Sequence, residues 1–346
     1  MRSEQEIPIF TNPGKEILGQ DAIQFLRNLG RTSWIDIKGV DESRSRVITT
    51  LLHGNEPSGL LSLHRWLLTN PRPVTNICVL IGAVDTALEL PIFAHRMLPH
   101  QRDFNRCFRA PFDGLQGRLA RSIIERLELL QPECICDIHN TSGTGPSFVI
   151  ATADGTQTRV LAEKFCRRMI VTDFRLGSVM ELKVGCPAIT IECGGAQDSE
   201  ADEVASQGLE CIATEDDLFM QGNGSDMYDL PDELEVLFSP LRVELVPVAT
   251  IAYEEEPSEL ADVSITPTIE HQNYGVTHQD YRLGWVGAGG LPSLSARDAA
   301  GQEQVHTLLR EDNGWVYPAQ NLRIFMATTN ATIAATDCLF YAVPAN

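Results

Sequence analysis

The sequence predicts an α/β fold in which helices cover a sheet, followed by a smaller all-β domain. Between residues 16 and 195, short β-branched runs alternate with longer amphipathic runs, as strands and their covering helices do. After about residue 235 the runs become short and alternating, with Gly and Pro between them, which is typical of β-hairpins. We therefore expect a large domain over residues 1–235 and a β-rich domain over residues 236–346, since a chain of 346 residues can fill two cores.

The predicted strands of the large domain are short and rich in Val, Ile and Thr. In chain order they are SWIDIKG, SRVITTLLHG, NICVLIGA, ECICDIHN, SFVIAT and PAITIECGG. The predicted helices place Leu, Ile and Val at steps of three and four residues, as a helix packed on a sheet requires. They are EPSGLLSLHRWLLTN, LQGRLARSIIERLELLQ, TQTRVLAEKFCRRMI and ADEVASQGLECIATEDDLFMQ. In the C-terminal domain the strand candidates are LRVELVPVATIAYE, YRLGWVGAGG and NLRIFMATTN.

Composition and charge exclude several classes of protein. The formal charge of −20 repels nucleic acid and anionic lipid, and no basic stripe offsets it, so we expect no nucleic-acid partner. No run of about 18 uncharged apolar residues occurs, and the first residues, MRSEQEIPIF, lack a signal-peptide pattern. The nine cysteines include no CxxC pair, which favours reduced thiols over a disulfide scaffold or a zinc finger. These features predict a cytoplasmic protein without a membrane partner.

Residues that can bind a metal ion or move a proton lie at the ends of predicted strands. They are His53, His139 and Glu192, with Glu56 just past the first of them. The carboxyl ends of strands in an open α/β sheet form one rim, beside the crevice where ligands bind. Two imidazoles and one carboxylate, with a fourth position left to water, are a catalytic zinc set. The His-x-x-Glu spacing alone is short and common, and an ordinary surface turn would also contain it.

A second polar cluster, RDFNR at residues 102–106, adds groups of complementary chemistry. Asp103 can accept a hydrogen bond from a metal-bound imidazole and so orient the ring. Arg106 offers a planar fork of donors suited to a carboxylate, and Asn105 lies beside it. Taken alone, the string is also compatible with a solvated, charged loop.

Four motifs in a fixed order, HGNEPSG, RDFNR, DIHN and TIECGG, resemble the succinylglutamate desuccinylase and aspartoacylase family, a deacylase branch related to zinc carboxypeptidases. The resemblance covers residues 45–195 well and the C-terminal part in outline. It implies a zinc-carboxypeptidase-like mixed sheet flanked by helices, with a smaller C-terminal all-β domain. It also implies a zinc-dependent hydrolase, with one Zn²⁺ per chain, that cleaves the amide bond of a small N-acyl amino acid. A homo-oligomer is compatible with it.

The resemblance assigns the metal site and the proton shuttle to particular residues. By this resemblance the domain over residues 1–235 is the catalytic one. The zinc ligands would be His53, Glu56 and His139, and Glu192 would act as general base and general acid.

The resemblance also assigns substrate contacts. Asn105 and Arg106 would bind the carboxylate of the substrate, and an arginine upstream would polarise the scissile carbonyl. Arg96 and Arg102 compete for that role. Arg96 is favoured, because Arg102 directly precedes Asp103 and the arginine of the family usually stands several residues earlier. Arg102 is then counted among the substrate-binding residues.

One departure and two alternatives accompany this interpretation. Relatives that act on N-acetylaspartate carry an arginine shortly before the catalytic glutamate, whereas VMELKVGCPAITIE contains none, which puts that substrate in doubt. A zinc carboxypeptidase acting on short peptides would share the metal set. A non-catalytic metal-binding module is the second alternative, with the acidic segment 196–270 as its docking face, where twenty Asp and Glu stand against Arg242 alone.

Overall fold

The computed structural model describes residues 6–219, 234–298 and 300–345, and these residues form two compact units. The first unit consists of residues 6–140, 147–169, 175–219 and 234–235, and the second of residues 141–146, 170–174, 236–298 and 300–345. Residues 220–233 of the acidic segment, which include the last two positions of the fourth predicted helix, lie outside the described residues. The division into a catalytic domain over residues 1–235 and a β-rich domain over residues 236–346 stays a prediction.

The described residues up to 238 contain one nine-stranded sheet and the helices between its strands. The strands are β1 (Ile9–Thr11), β2 (Ser33–Ile37), β3 (Asp41–Thr50), β4 (Thr75–Ile81), β5 (Ile135–Thr141), β6 (Phe148–Ala151), β7 (Arg168–Val171), β8 (Ala188–Gly195) and β9 (Glu235–Phe238). The helices are α1 (Lys15–Leu18), α2 (Ala22–Leu29), α3 (Ser58–Leu68), α4 (Val84–Leu88), α5 (Gly114–Leu130), α6 (Thr156–Glu163) and α7 (Ser199–Thr214). Short 3₁₀ turns lie at Phe104–Arg106 and Val179–Glu181.

The sheet is mixed, with the strand order β1-β2-β4-β3-β5-β8-β6-β7-β9. Strand β3 runs parallel to β4 and β5, whereas β2 is antiparallel to β4 and β6 is antiparallel to β8. All six predicted strands are present, and the predicted α/β fold is confirmed. The third predicted helix is too long: α6 ends at Glu163, and the following apolar run forms β7, where Met169 and Ile170 are buried.

Both faces of the central strands are covered, as the burial of all seven residues of β4 requires. On one face α5 packs through Ile123 and Leu127 against side chains such as Val47 and Leu80. On the other face α3 lies so close to the sheet that a Cβ at Gly59 would meet the side chains of β3 and β5. Helices α2 and α7 pack beside α3. Burial of these apolar faces therefore holds the strand ends in register.

The second unit contains two five-stranded sheets and two short helices within its described residues. The elements are β10 (Leu241–Leu245), β11 (Ile251–Tyr253), β12 (Val263–Ile265), β13 (Val276–Thr277), β14 (Gly284–Val286), β15 (Leu294–Arg297), α8 (Val305–Leu308), β16 (Leu309–Asp312), β17 (Trp315–Pro318), β18 (Leu322–Phe325), α9 (Ala331–Thr336) and β19 (Phe340–Pro344). The sheet orders are β13-β18-β19-β10-β15 and β11-β12-β14-β17-β16, mostly antiparallel. One apolar core, with Val243, Ile265 and Phe340 among its members, is shared by both sheets. The predicted smaller β domain is confirmed.

Two expectations from composition can be compared with the described residues. None of their helices combines the length and the apolar character that crossing a membrane requires. All nine cysteines are free thiols, and six of them are buried.

Candidate metal centre

The loop that carries His53 and Glu56 is shaped by two unusual backbone positions. Just after β3, Leu51 has a φ of +56°, a left-handed conformation that leucine adopts only where the surrounding structure requires it. A Cβ added at Gly54 would lie 2.7 Å from the carbonyl oxygen of His95, so only glycine permits this approach. The amide of Gly54 then donates to the carbonyl of Arg96 at 3.0 Å. The loop is thereby attached to the segment that carries Arg96.

The strand order brings the chemically capable side chains to neighbouring positions. Strands β3, β5 and β8 are adjacent in the sheet. His53 follows β3, His139 lies within β5, and Glu192 lies within β8 opposite Phe148 of β6. The imidazole rings of His53 and His139 have their centroids 5.1 Å apart.

The two imidazoles and the Glu56 carboxylate form one buried group. Oε1 of Glu56 lies 2.8 Å from Nδ1 of His53, and Oε2 lies 2.5 Å from Nδ1 of His139. One ligand atom from each residue lies within 4.8 Å of the other two, and all three residues are buried. Among the described residues this is the one group of three His, Cys, Asp or Glu side chains that meets this spacing. The three predicted ligands therefore converge on one small volume.

A second carboxylate contacts the other nitrogen of each imidazole. Oδ1 of Asp103 lies 3.0 Å from Nε2 of His53, and Oδ2 of Asp137 lies 2.8 Å from Nε2 of His139. Both rings therefore present Nδ1 to Glu56, an arrangement that fixes the ring and leaves Nδ1 for an ion. The sequence predicts Asp103 in this role, whereas Asp137 was not predicted. The alternation of β5 could have identified it, because residues 137 and 139 share one face of the strand.

Asp137 is fully buried and has further donors. It accepts hydrogen bonds from the Thr49 hydroxyl and, at 3.3 Å, from the Asn105 amide. The same amide nitrogen lies 3.2 Å from Nε2 of His139. His139 is thus held by a carboxylate whose own position is determined by neutral neighbours.

Asn105 and Arg106 lie next to each other on the 3₁₀ turn Phe104–Arg106. Oδ1 of Asn105 accepts a hydrogen bond from the backbone amide of Val179 at 3.0 Å, so protein groups contact both ends of its amide. Nη1 of Arg106 donates to the Asn105 carbonyl oxygen at 3.0 Å. The expected role of both residues in binding a substrate carboxylate stays a prediction.

Arg96 and Arg102 lie in different surroundings. Nη2 of Arg96 donates to Oδ2 of Asp103 at 3.1 Å, and Nη1 lies 3.5 Å from Oε1 of Glu56. Nη1 of Arg102 instead donates to the Asp113 carbonyl oxygen at 3.0 Å. Arg96 therefore lies beside the buried group, and Arg102 extends towards the start of α5.

Charges within the group shift the pKa values of its members. Burial raises the pKa of Glu56, but the two imidazoles outweigh burial and hold it below its usual range. Burial lowers the pKa of His139, but Asp137 and Glu56 raise it well above the usual value. Burial and Arg96 lower the pKa of His53, whereas its two neighbouring carboxylates outweigh them and raise it. Each charge is therefore matched by an opposite charge.

Glu192 differs from the other carboxylates of the site. Burial raises its pKa to about 8; the Glu56 carboxylate adds to the rise, and the nearby imidazoles oppose it. Its Oε2 is buried and has no hydrogen-bond partner among the described residues. A carboxyl group with a pKa near neutrality and an unused oxygen can accept and release a proton.

The donor set fits a divalent ion of the zinc type. Two imidazole nitrogens and one carboxylate suit this borderline cation, and the set leaves a coordination position for water. The carboxylates on both outer ring nitrogens favour the tautomer in which Nδ1 is free to bind. His53, Glu56 and His139 therefore could bind a metal ion.

Comparison with known proteins supports the fold. No family model and no curated protein matches the sequence. A succinylglutamate desuccinylase/aspartoacylase from Rhodobacter sphaeroides is 13% identical with a TM-score of 0.56, covering 90% of this chain and 88% of that one. The ectoine utilization protein EutE from Ruegeria pomeroyi is 14% identical with a TM-score of 0.53, covering 89% and 87%. Murine aminoacylase 3 is 16% identical with a TM-score of 0.51, covering 88% and 99%. The chain therefore has the fold of the succinylglutamate desuccinylase/aspartoacylase structures, as its four motifs indicated.

Proposed function

We propose that this chain is a zinc-dependent hydrolase that removes the acyl group from an N-acyl amino acid. The observation that carries the proposal is the buried convergence of His53, Glu56 and His139, with a carboxylate on each outer ring nitrogen. The names of the compared structures, such as aminoacylase 3 and succinylglutamate desuccinylase/aspartoacylase, support an acylated amino acid as substrate by analogy of fold.

In the proposed reaction the zinc ion and the side chains have different roles. One Zn²⁺ held by His53, Glu56 and His139 would lower the pKa of a water molecule and polarise a carbonyl group. Glu192 would take a proton from the attacking water and return it to the departing amine nitrogen, a task suited to a carboxyl group of raised pKa. The C–N bond breaks, the water oxygen remains on the carboxylic acid, and the nitrogen leaves as the amine.

Arginine side chains would handle the remaining negative charge. Arg96, beside Glu56, would donate to the carbonyl oxygen as charge develops on it; loss of one such donor typically costs about 3 to 4 kcal/mol. Arg106, with Asn105 and Arg102 nearby, would bind the carboxylate of the amino acid through its planar fork. The proposed substrate is thus bound at its carboxylate and activated at its amide.

The test that decides the proton shuttle is Glu192→Gln. The variant should keep stoichiometric zinc, because Glu192 is not a proposed ligand, yet its kcat should fall by about three orders of magnitude or more. Zinc content is measured by mass spectrometry and turnover with the best N-acyl amino acid of a panel. Activity close to that of the parent would remove Glu192 from the role of base.

Arg106→Ala tests the carboxylate contact. We expect KM to rise about 10- to 100-fold with kcat changed only a few-fold, because the contact is made in the ground state as well as in the transition state. The control is Arg109→Ala, an exposed arginine three residues away whose guanidinium contacts a backbone carbonyl. A KM that is the same in both variants would exclude Arg106 from the substrate site.

A panel of N-acyl amino acids and short peptides separates the proposal from its two alternatives. Hydrolysis of peptides in preference to acylated amino acids would indicate a carboxypeptidase. Absence of stoichiometric zinc in protein purified under metal-replete conditions would indicate a module that does not catalyse hydrolysis.

A further inference from the structure

Arg96 lies in a long irregular segment that follows α4. Every residue from 89 to 103 is described, and none belongs to a helix or a strand. Connections of about 15 residues without secondary structure are uncommon in compact domains, and they often carry function. The Phe93 amide donates to the Ala87 carbonyl oxygen of α4 at 2.9 Å, and the Gly54 amide donates to that of Arg96 at 3.0 Å. The position of Arg96 therefore depends on how the rest of the segment is held.

The second half of this segment forms a loop whose two ends are joined. Nη2 of Arg96 donates to Oδ2 of Asp103 at 3.1 Å, so an ion pair connects the first and the last residue of the loop. Met97, Pro99 and His100 lie between these ends and are exposed. An exposed loop needs a further attachment if the guanidinium at its start is to keep one position.

Gln101 provides this attachment. Its Oε1 accepts hydrogen bonds from the Thr86 hydroxyl at 2.7 Å and from the Leu98 amide at 3.3 Å, and its Nε2 donates to Oδ2 of Asp85 at 2.7 Å. The backbone amide of Gln101 also donates to the Leu98 carbonyl oxygen at 2.9 Å. Asp85 and Thr86 belong to α4, so one side chain both closes the loop on itself and attaches it to this helix.

The attachment point on α4 is also where the loop of the proposed metal ligands meets the segment of Arg96. A Cβ at Gly54 would lie 2.7 Å from the Thr86 side chain and 2.7 Å from the His95 carbonyl oxygen. Thr86 is fully buried, so the surrounding core fixes its position. Gln101 therefore connects the segment that carries Arg96 to the same buried residue that the ligand loop contacts.

The partners of Gln101 require an amide side chain. The backbone amide of Leu98 needs an acceptor and the carboxylate of Asp85 needs a donor, and a glutamine presents both groups. The change Gln101→Glu would place a second carboxylate beside Asp85, and Gln101→Leu would remove the donor and the acceptor together. These two changes therefore break the attachment in different ways.

We infer that Gln101 is a positioning residue: through the loop it fixes the place at which the Arg96 guanidinium meets the carbonyl oxygen of the substrate. The inference rests on the proposed function, in which Arg96 donates to that oxygen. Displacement of a reacting group by about 1 Å can cost about 100-fold in rate. Asp103, which contacts His53, also accepts a hydrogen bond from the Asn105 amide at 2.9 Å. Loss of Gln101 should therefore lower kcat and leave zinc binding nearly unchanged.

The experiment uses the full chain and compares Gln101→Leu, Gln101→Glu, Arg96→Ala and the double variant Arg96→Ala/Gln101→Leu with the parent. The matched control is Gln207→Leu, because Gln207 also donates to a carboxylate, that of Glu203 at 2.9 Å, but is exposed on α7. Zinc content, kcat and KM are measured with the best N-acyl amino acid of the panel. The surroundings of Arg96 are followed separately by NMR, through the Nε–H signal of isotope-labelled arginine, which Arg96→Lys assigns.

Gln101→Leu and Gln101→Glu should each lower kcat about 10- to 100-fold, with KM changed less than about threefold, stoichiometric zinc and a shifted Arg96 signal. Gln207→Leu should match the parent. The double variant should be no slower than Arg96→Ala, because Gln101 acts through this arginine.

Three results would overturn the inference: a parental kcat in Gln101→Leu, losses that multiply in the double variant, or an Arg96 signal that Gln101→Leu leaves unchanged. A signal that shifts in Gln101→Leu and not in Gln207→Leu, in a protein that hydrolyses no N-acyl amino acid, would overturn the proposed function. The placement of Arg96 by Gln101 would then still be supported.

Discussion

The two imidazoles of the candidate metal centre are held in different ways. His139 lies inside β5, and its partner Asp137 has a side chain that is 0% exposed and accepts from Thr49 and Asn105. His53 lies in a loop, and its partner Asp103 is 16% exposed and is shared with the charged side chain of Arg96. His139 is thus supported in the core, by the sheet and by neutral donors. His53 is supported by a loop and by the ion pair between Asp103 and Arg96.

This difference indicates a division of tasks within one site. A ligand on a buried strand is positioned by packing that changes little, so β5 can hold one corner of the metal centre rigidly. A side chain in a loop can be coupled to its neighbours, and Asp103 connects His53 with Arg96, the residue proposed to donate to the carbonyl oxygen of the substrate. We therefore expect His139 and Asp137 to contribute most to the affinity for the metal ion. We expect His53 and Asp103 to couple metal binding to substrate binding.

Removal of either imidazole should have the largest effect. His139→Ala and His53→Ala should each weaken zinc binding by more than about 1,000-fold, because two remaining ligands bind zinc poorly. Only His139→Ala should also lower the free energy of unfolding markedly, by about 2 to 3 kcal/mol, because it leaves Asp137 buried without a cationic partner. Zinc titration and urea unfolding measure the two effects. Equal destabilisation by both variants would remove the proposed difference.

Substitution of Asp137 or Asp103, the carboxylates on the Nε2 atoms of the two imidazoles, should reduce zinc affinity less than removal of an imidazole. Asp137→Asn should weaken zinc binding about 100-fold and Asp103→Asn about 10-fold, within the usual range for partners that orient a ligating imidazole. The exposed Asp113→Asn is the control. Zinc affinity measured against a competing chelator distinguishes them, and a larger loss in Asp103→Asn would reverse the comparison.

The pH dependence of zinc binding should follow the histidines. Carboxylates raise the pKa of both imidazoles, and that of His139 well above its usual value, so in metal-free protein a proton competes for the ring. Below these pKa values zinc must displace a proton, and affinity should fall about tenfold per pH unit for each proton displaced. Asp137→Asn should flatten this dependence more than Asp103→Asn. An affinity that is constant between pH 5 and 8 would contradict the account.

The fold and the position of the site were predictable because they depend on local pattern. Alternating β-branched and amphipathic runs predict the strands, and the rule that the carboxyl ends of strands form one rim predicts that His53 and His139 lie close together. The third predicted helix was wrong beyond Glu163, because its amphipathic steps continue into a run that tertiary contacts place in β7.

Other features depend on distant contacts and could not be predicted from pattern. The position of Arg96 beside Glu56 follows from the close approach that Gly54 permits. A cavity of about 300 Å³ is lined by segments more than a hundred residues apart, from Ile7 to Leu119. Asp137, in contrast, could have been predicted from the sequence, because it lies two residues before His139 and therefore on the same face of the strand.

The central claim is that one divalent ion is bound by three side chains of this chain. Anomalous diffraction from zinc-loaded crystals, recorded on both sides of the zinc absorption edge, tests it most directly. We expect one strong peak per chain, about 2.0 to 2.2 Å from Nδ1 of His53, Nδ1 of His139 and a carboxylate oxygen of Glu56. No peak at this position, or a peak bound elsewhere in the chain, would contradict it.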